Sequence, residues 1–384
     1  VSGADENDGT GGSGTDGDAA NGGADGDATD NGRTDGDGRT DGDGRTDGSQ
    51  GLGAAGSGAP EGGATDGGSR DSAGAGRESG KPPGPGGRFA EAAREERPEL
   101  ALLCLLIGAR AEAAAARERY ARGGPDTAED RGAADGTGAN GATDALVDGA
   151  QAELDRLAGQ LPYERGRTPE QWVRAMERLL GEEHGFAGAP ADYQRLDSSL
   201  LHTVLRRRRG LPILLSVVWL EVARRAGAPV YGVALPGHFV VGFGDPSGAF
   251  ALADPFNGGK PLTPEETEVL VAGATGGRAH VSDAALQPAG PLETVLRILN
   301  NIRAWSSDRP EQSGVRLWAV ELSLLLPHHP GRLRLERAQL LVERGDFVAG
   351  AREMEEYADV VATMEPNAAE NIRRAARAAR ARLN

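Results

Sequence analysis

The stretch from Leu211 to Ala226, LPILLSVVWLEVARRA, is apolar on nearly every side of a helical wheel. Ile213, Leu215, Val217, Val218, Leu220 and Val222 cannot share one face at helical spacing, so a helix here has to be surrounded by other elements. Gly227 ends it, and Pro229 follows where a finished helix tolerates one. Three short apolar runs come next: VYGVAL (Val230 to Leu235), HFVVGF (His238 to Phe243) and AFALAD (Ala249 to Asp254). Pro236-Gly237 and GDPSG separate them, and both are turn sequences. A buried helix followed by an antiparallel meander is an α+β pattern, and the rest of the chain must cover that helix.

Not all of the chain is fit to do so. Up to Gly87 it is mostly Gly, Asp, Ala, Thr and Ser, with 17 acidic against 6 basic residues, and it holds most of the net charge of −16. Such a segment cannot bury enough apolar surface to offset its ordering entropy, so residues 1–87 are expected to be a disordered acidic tail. Its repeat, GRTDGDGRTDGDGRTDG, lacks the bidentate Glu of an EF-hand loop and the apolar residue of a β-roll turn; a solvated linker is expected and no metal. Residues 123–144 share this composition and read as a flexible insertion.

Around these segments the pattern is helical. After Pro98 a long helix carries Leu100, Leu103, Leu106 and Ile107 on one face, and ALVDGAQAELDRLAGQL reads as another. At TPEQWVRAMERLLGEEHG, Thr168 caps, Pro169 takes the first turn and Gln171 closes a capping box. Beyond Pro291 the chain is helical to its end. Ala338, Gly345, Asp346, Phe347 and Ala351 sit at or near the small and aromatic positions of a tetratricopeptide unit, with Pro366 a few residues late. The domain expectation is therefore a tail at 1–87, an α+β domain at 88–290 and a helical tetratricopeptide-like region at 291–384.

Histidine and aspartate on neighbouring strands are two parts of a nucleophilic triad, and His238 and Asp254 are so placed. The bland alternative is a hydrogen-bonded pair that ties two strands together. Ser216, the nearest hydroxyl on the apolar helix, reads as a helix serine bonded to its own backbone. Cys104 is the one cysteine, which excludes an intramolecular disulfide, and it reads as a small buried hydrophobe. His328-His329 has no ligand spacing and no accompanying carboxylates or thiols. Arg206 to Arg209 reads as a solvated face paired with nearby carboxylates. Aromatics, 4% of the chain, do not interleave with it, which argues against nucleic acid. No apolar run reaches the ~18 residues of a membrane span, and no basic n-region with an apolar h-region opens the chain; a cytoplasmic protein is expected.

The segments RRRRGLPILLS, LPGHF and DPFNGG, in this order and spacing, resemble the bacterial SirB-type family of transglutaminase-like proteins with a tetratricopeptide tail, from roughly Ala90 to the C-terminus. The resemblance implies a papain-like core: a Cys opening the buried helix, a His on the next strand but one, an Asp on the strand after that. His238 and Asp254 match the last two. The nucleophile's place falls at Pro212-Ile213-Leu214, and related proteins often carry Ser where this chain has Leu214. The implied function is a non-catalytic binding or regulatory protein that keeps the triad remnants without the Cys. It would use no cofactor and would take a protein partner through the helical region or the cleft. The alternative is a hydrolase or amidotransferase acting on amide bonds with His238 and Asp254.

Overall fold

The computed structural model describes residues 84–123, 139–277 and 280–382. The expectations for the acidic tail through residue 83 and for residues 124–138 of the insertion fall outside them. Helix α1 (Pro85–Ala92) precedes α2 (Leu100–Ala121), and α3 spans Ala139–Ala158. Helix α3 thus starts inside the span read as insertion. An Arg88–Asp144 ion pair at 2.6 Å ties its first turns to α1, a contact that composition does not disclose.

Helix α4 (Pro169–Met176) begins with the expected capping box, Thr168 against Gln171. It then widens into a π-helical segment, Glu177–Glu183. Helices α5 (Leu201–Arg207) and α6 (Pro212–Arg225) follow, and every residue of α6 from Pro212 to Ala223 is buried, as its all-round apolarity requires. The sheet is a plain antiparallel meander, β1 (Val230–Val233), β2 (Val240–Gly244), β3 (Phe250–Asp254) and β4 (Lys260–Leu262), in that spatial order. The short β4, centred on Pro261, was not expected; a proline is tolerated there because β4 is an edge strand.

Side-chain alternation divides the sheet's two faces. Val241, Phe243 and Ala253 enter the main core with α6, whereas Val240, Leu252, Val233 and Leu235 form a smaller cluster with Val271 of α7 (Pro264–Thr275). The main core also takes Val295, Ile298, Leu299 and Ile302 from α8 (Pro291–Ser307), and Trp318 and Leu322 from α9 (Ser313–Leu325). Helix α2 is buried almost all round from Leu100 to Ile107, not on one face, because α1, α3, α5, α8 and α9 pack about it. Three further helices, α10 (Arg332–Glu343), α11 (Phe347–Val361) and α12 (Pro366–Ala381), pack in succession. Glu336 of α10 takes Arg316 of α9 at 2.9 Å and Arg303 of α8, pinning them to that body. No described helix is long and apolar enough to cross a membrane.

Candidate functional site

The β2–β3 corner is built around a fully buried carboxylate. Asp254 ends β3, and its Oδ1 accepts from His238 Nε2 at 2.9 Å and from the Phe256 backbone N–H at 3.0 Å. Its Oδ2 accepts from Asn257 Nδ2 at 2.6 Å. A buried carboxylate is tolerable only with such partners. DPFN supplies two of them locally, because the aspartate caps the 3-10 turn Pro255–Asn257. His238 is the distant one, carried just ahead of β2 in the turn after Leu235.

Since Nε2 donates to Asp254, a neutral His238 has its lone pair on Nδ1. Among the described residues Nδ1 has no hydrogen-bond partner, although the residue as a whole is buried. The turn that carries the ring is held from α8: Arg297 Nη2 donates to Leu235 O at 2.7 Å and His238 O at 2.6 Å, and its guanidinium lies over Phe239. Burial holds the Arg297 pKa below its ordinary value. Phe256 stands edge-on to both His238 and Tyr193, with centroids 6.0 Å apart in each case. Burial, and secondly the charge of Asp254, push the Tyr193 phenol upward.

Close backbone approaches pack the neighbouring segments onto this corner. A Cβ on Gly181, in the π-helical segment, would lie 1.9 Å from Gly258 O, and one on Gly188 would lie 1.9 Å from the Phe256 ring. The wide turn and these two glycines let the segment after α4 sit directly on the Pro255–Asn257 turn. Asp192 anchors the stretch that presents Tyr193. It is buried, accepts from Ala189 N at 2.9 Å and Ser198 Oγ at 3.2 Å, and pairs with Arg207 and Arg209 at 3.4 Å. Arg208 reaches Glu153 at 2.6 Å and lies over Phe186. Three of the four consecutive arginines are therefore committed to ion pairs within the fold.

Helix α6 carries no cysteine and a single hydroxyl, that of Ser216. Its first turn is Pro212, Ile213, Leu214 and Leu215, all buried. Ser216 does not bond back to its own helix: its hydroxyl donates to Phe239 O at 3.2 Å, since it faces the β2 entry and not a solvated groove. Cys104 is buried in α2, and burial, with the nearby Glu221 carboxylate second, raises its thiol far above the ordinary range. His329 spends Nδ1–H on Leu326 O at 2.9 Å. Sequence reasoning named His238 and Asp254 and missed Arg297, Tyr193, Asn257 and Asp192. Asn257 had a signal, since Asp-Pro-x-Asn invites a side-chain-capped turn; Arg297, far downstream, had none.

A family-model match falls on this same region. Residues 148–300 match the family model described as the transglutaminase-like superfamily. A UPF0162 protein of Xylella fastidiosa (strain Temecula1) is 33% identical over 188 residues, which is 48% of this chain and 66% of that protein. A Pseudomonas aeruginosa UPF0162 protein is 33% identical over 159 residues, 40% of this chain and 56% of its own. Human F-box only protein 21 is 27% identical over 172 residues, 43% of this chain and 26% of its own. The chain thus spans no more than 66% of any of these relatives. Residues 148–300, which carry α6, His238 and Asp254, thus match the transglutaminase-like superfamily, and the chain is similar to the UPF0162 proteins.

Proposed function

We propose that this chain is a non-catalytic binding or regulatory protein of the SirB type, in which the transglutaminase-like domain keeps the His238–Asp254 pair and lacks the nucleophile. The observation that carries the reading is chemical. The first turn of α6 offers only Pro212, Ile213, Leu214 and Leu215, and the next hydroxyl, Ser216, is already bonded to Phe239 O. A buried leucine cannot attack a carbonyl, whereas its burial stabilises the fold by about 1.5–3 kcal/mol. In this reading the C-terminal helices are tetratricopeptide-like and share partner binding with the cleft beside His238, in the cytoplasm.

The test is turnover by the full chain of a glutamine-bearing peptide, followed as ammonia release and as incorporation of a fluorescent primary amine. No turnover is expected, before or after treatment with an alkylating agent. Turnover that disappears in His238→Ala would overturn the reading and install the second one. That second reading is a hydrolase or amidotransferase in which His238 activates water. It draws on the lack of a partner at Nδ1 among the described residues, the nitrogen that a general base would use.

A further inference from the structure

The sheet face that carries Leu252 is roofed by α7 and by the segment around Leu286, and the roof is incomplete. Over β3 and β4 it leaves a cavity of about 470 Å³. Phe250, Leu252, Leu262, Val281 and Leu286 line it, and Phe250 keeps 36% of its surface exposed. That volume lies within the ~300–1,000 Å³ of small-molecule sites. The cavity is also away from the polar network at Asp254: none of His238, Asp254, Arg297 or Tyr193 lines it.

Among the described residues the charged lining is acidic: Glu265 and Glu268, both from α7, border the apolar walls, and no described arginine or lysine does. The neighbouring Lys260 is already bound to Glu266 at 2.9 Å. Glu268 accepts from Val281 N at 3.2 Å, which fixes its carboxylate at the mouth, and the exposed His280 lies 3.8 Å away. Glu265 has no cation paired with it among the described residues. Each carboxylate has lone pairs left for a further donor.

We propose that this cavity is a binding site for an organic cation with a flat apolar body and one ammonium group, the body against Phe250, Leu252 and Leu262 and the ammonium between Glu265 and Glu268. The apolar walls supply most of the affinity by burial, and the two carboxylates select the sign of the charge. An anion of the same shape meets the same walls and is repelled at the mouth.

The probes are 2-(1-naphthyl)ethylamine and 1-naphthaleneacetate, which share a body and differ in charge, measured by equilibrium dialysis against the full chain at neutral pH. The amine is expected to bind saturably and at least tenfold more tightly than the acetate. Glu265→Gln with Glu268→Gln should bring the amine down to the level of the acetate. Gln at 268 still accepts from Val281 N–H, so the roof is kept. Leu286→Trp, which fills the hole, should abolish both. Equal retention of the two probes, retention of neither, or amine binding that survives Leu286→Trp would overturn the assignment.

Discussion

Removing the imidazole of His238 tests whether the pair at the β2–β3 corner stabilises the fold. In His238→Ala the carboxylate of Asp254 stays fully buried and keeps two of its three side-chain partners, Phe256 N–H and Asn257 Nδ2. Leaving one lobe of a buried acceptor unmet costs about 1–3 kcal/mol. Unfolding in urea, followed by tryptophan fluorescence, measures it. With a slope of about 3 kcal/mol per molar, the midpoint should fall by roughly 0.3–1 M. Asp254→Ala alone strands three donors and should cost at least as much. The decisive quantity is the cycle closed by the double variant. Because the two side chains touch at 2.9 Å, the sum of the single losses should exceed the double loss by about 0.5–3 kcal/mol. Single losses that add within about 0.3 kcal/mol would refute the idea that this bond ties the two strands.

Three other perturbations follow from the same contacts. Hydrogen bonds from Arg156, then from Arg208, hold the Glu153 carboxyl near pH 2, far below its ordinary value. Since that folded-state pKa is depressed, the stabilisation is complete above the unfolded pKa near 4.5 and is lost as pH falls towards about 2. Glu153→Gln should therefore lose less stability than the parent over that window in acid titration of unfolding. Gly181→Ala places a methyl 1.9 Å from Gly258 O and should destabilise by about 1–3 kcal/mol in the same urea assay; an unchanged midpoint would mean the π-helical segment yields freely. Cys104 should react with a thiol reagent only as fast as the protein unfolds, because it is buried and its thiolate is disfavoured; native-state labelling at the rate of a free thiol would contradict that.

What the sequence discloses about this fold is what periodicity and turn chemistry carry. Leu211 to Ala226 could be nothing but an enclosed helix, and Thr168, Pro169 and Gln171 wrote out a helix start; both are local. The alternation around His238 and Asp254 points to adjacent strands; His238 instead sits in the turn just ahead of β2, from which its ring reaches Asp254 at the end of β3. Arg297 left no trace, because a guanidinium that reaches two carbonyls of a distant turn looks in sequence like any surface arginine. Asp192 was hidden for the same reason, since Arg207 and Arg209 seemed equally able to face water. The sequence of the π-helical segment reads as plain helix, and its close approach to Gly258 is a tertiary contact that local periodicity does not carry. The sequence points Ser216 to its own helix, the nearest source of an acceptor, whereas the fold offers Phe239 O.

The envelopment of α2 sets a schedule for biosynthesis. Leu100 to Ile107 emerge early, apolar on every side, yet part of their cover comes from α8 and α9, and the core ends at Leu326 just after α9. At about 5–20 residues per second, the roughly two hundred residues between them take about 10–40 s to make. Throughout that interval the nascent chain holds a nearly all-apolar helix that cannot yet be enclosed. Newly made chains of this protein should thus be strong clients of ribosome-associated chaperones, and their dependence should end only when α9 has left the exit tunnel.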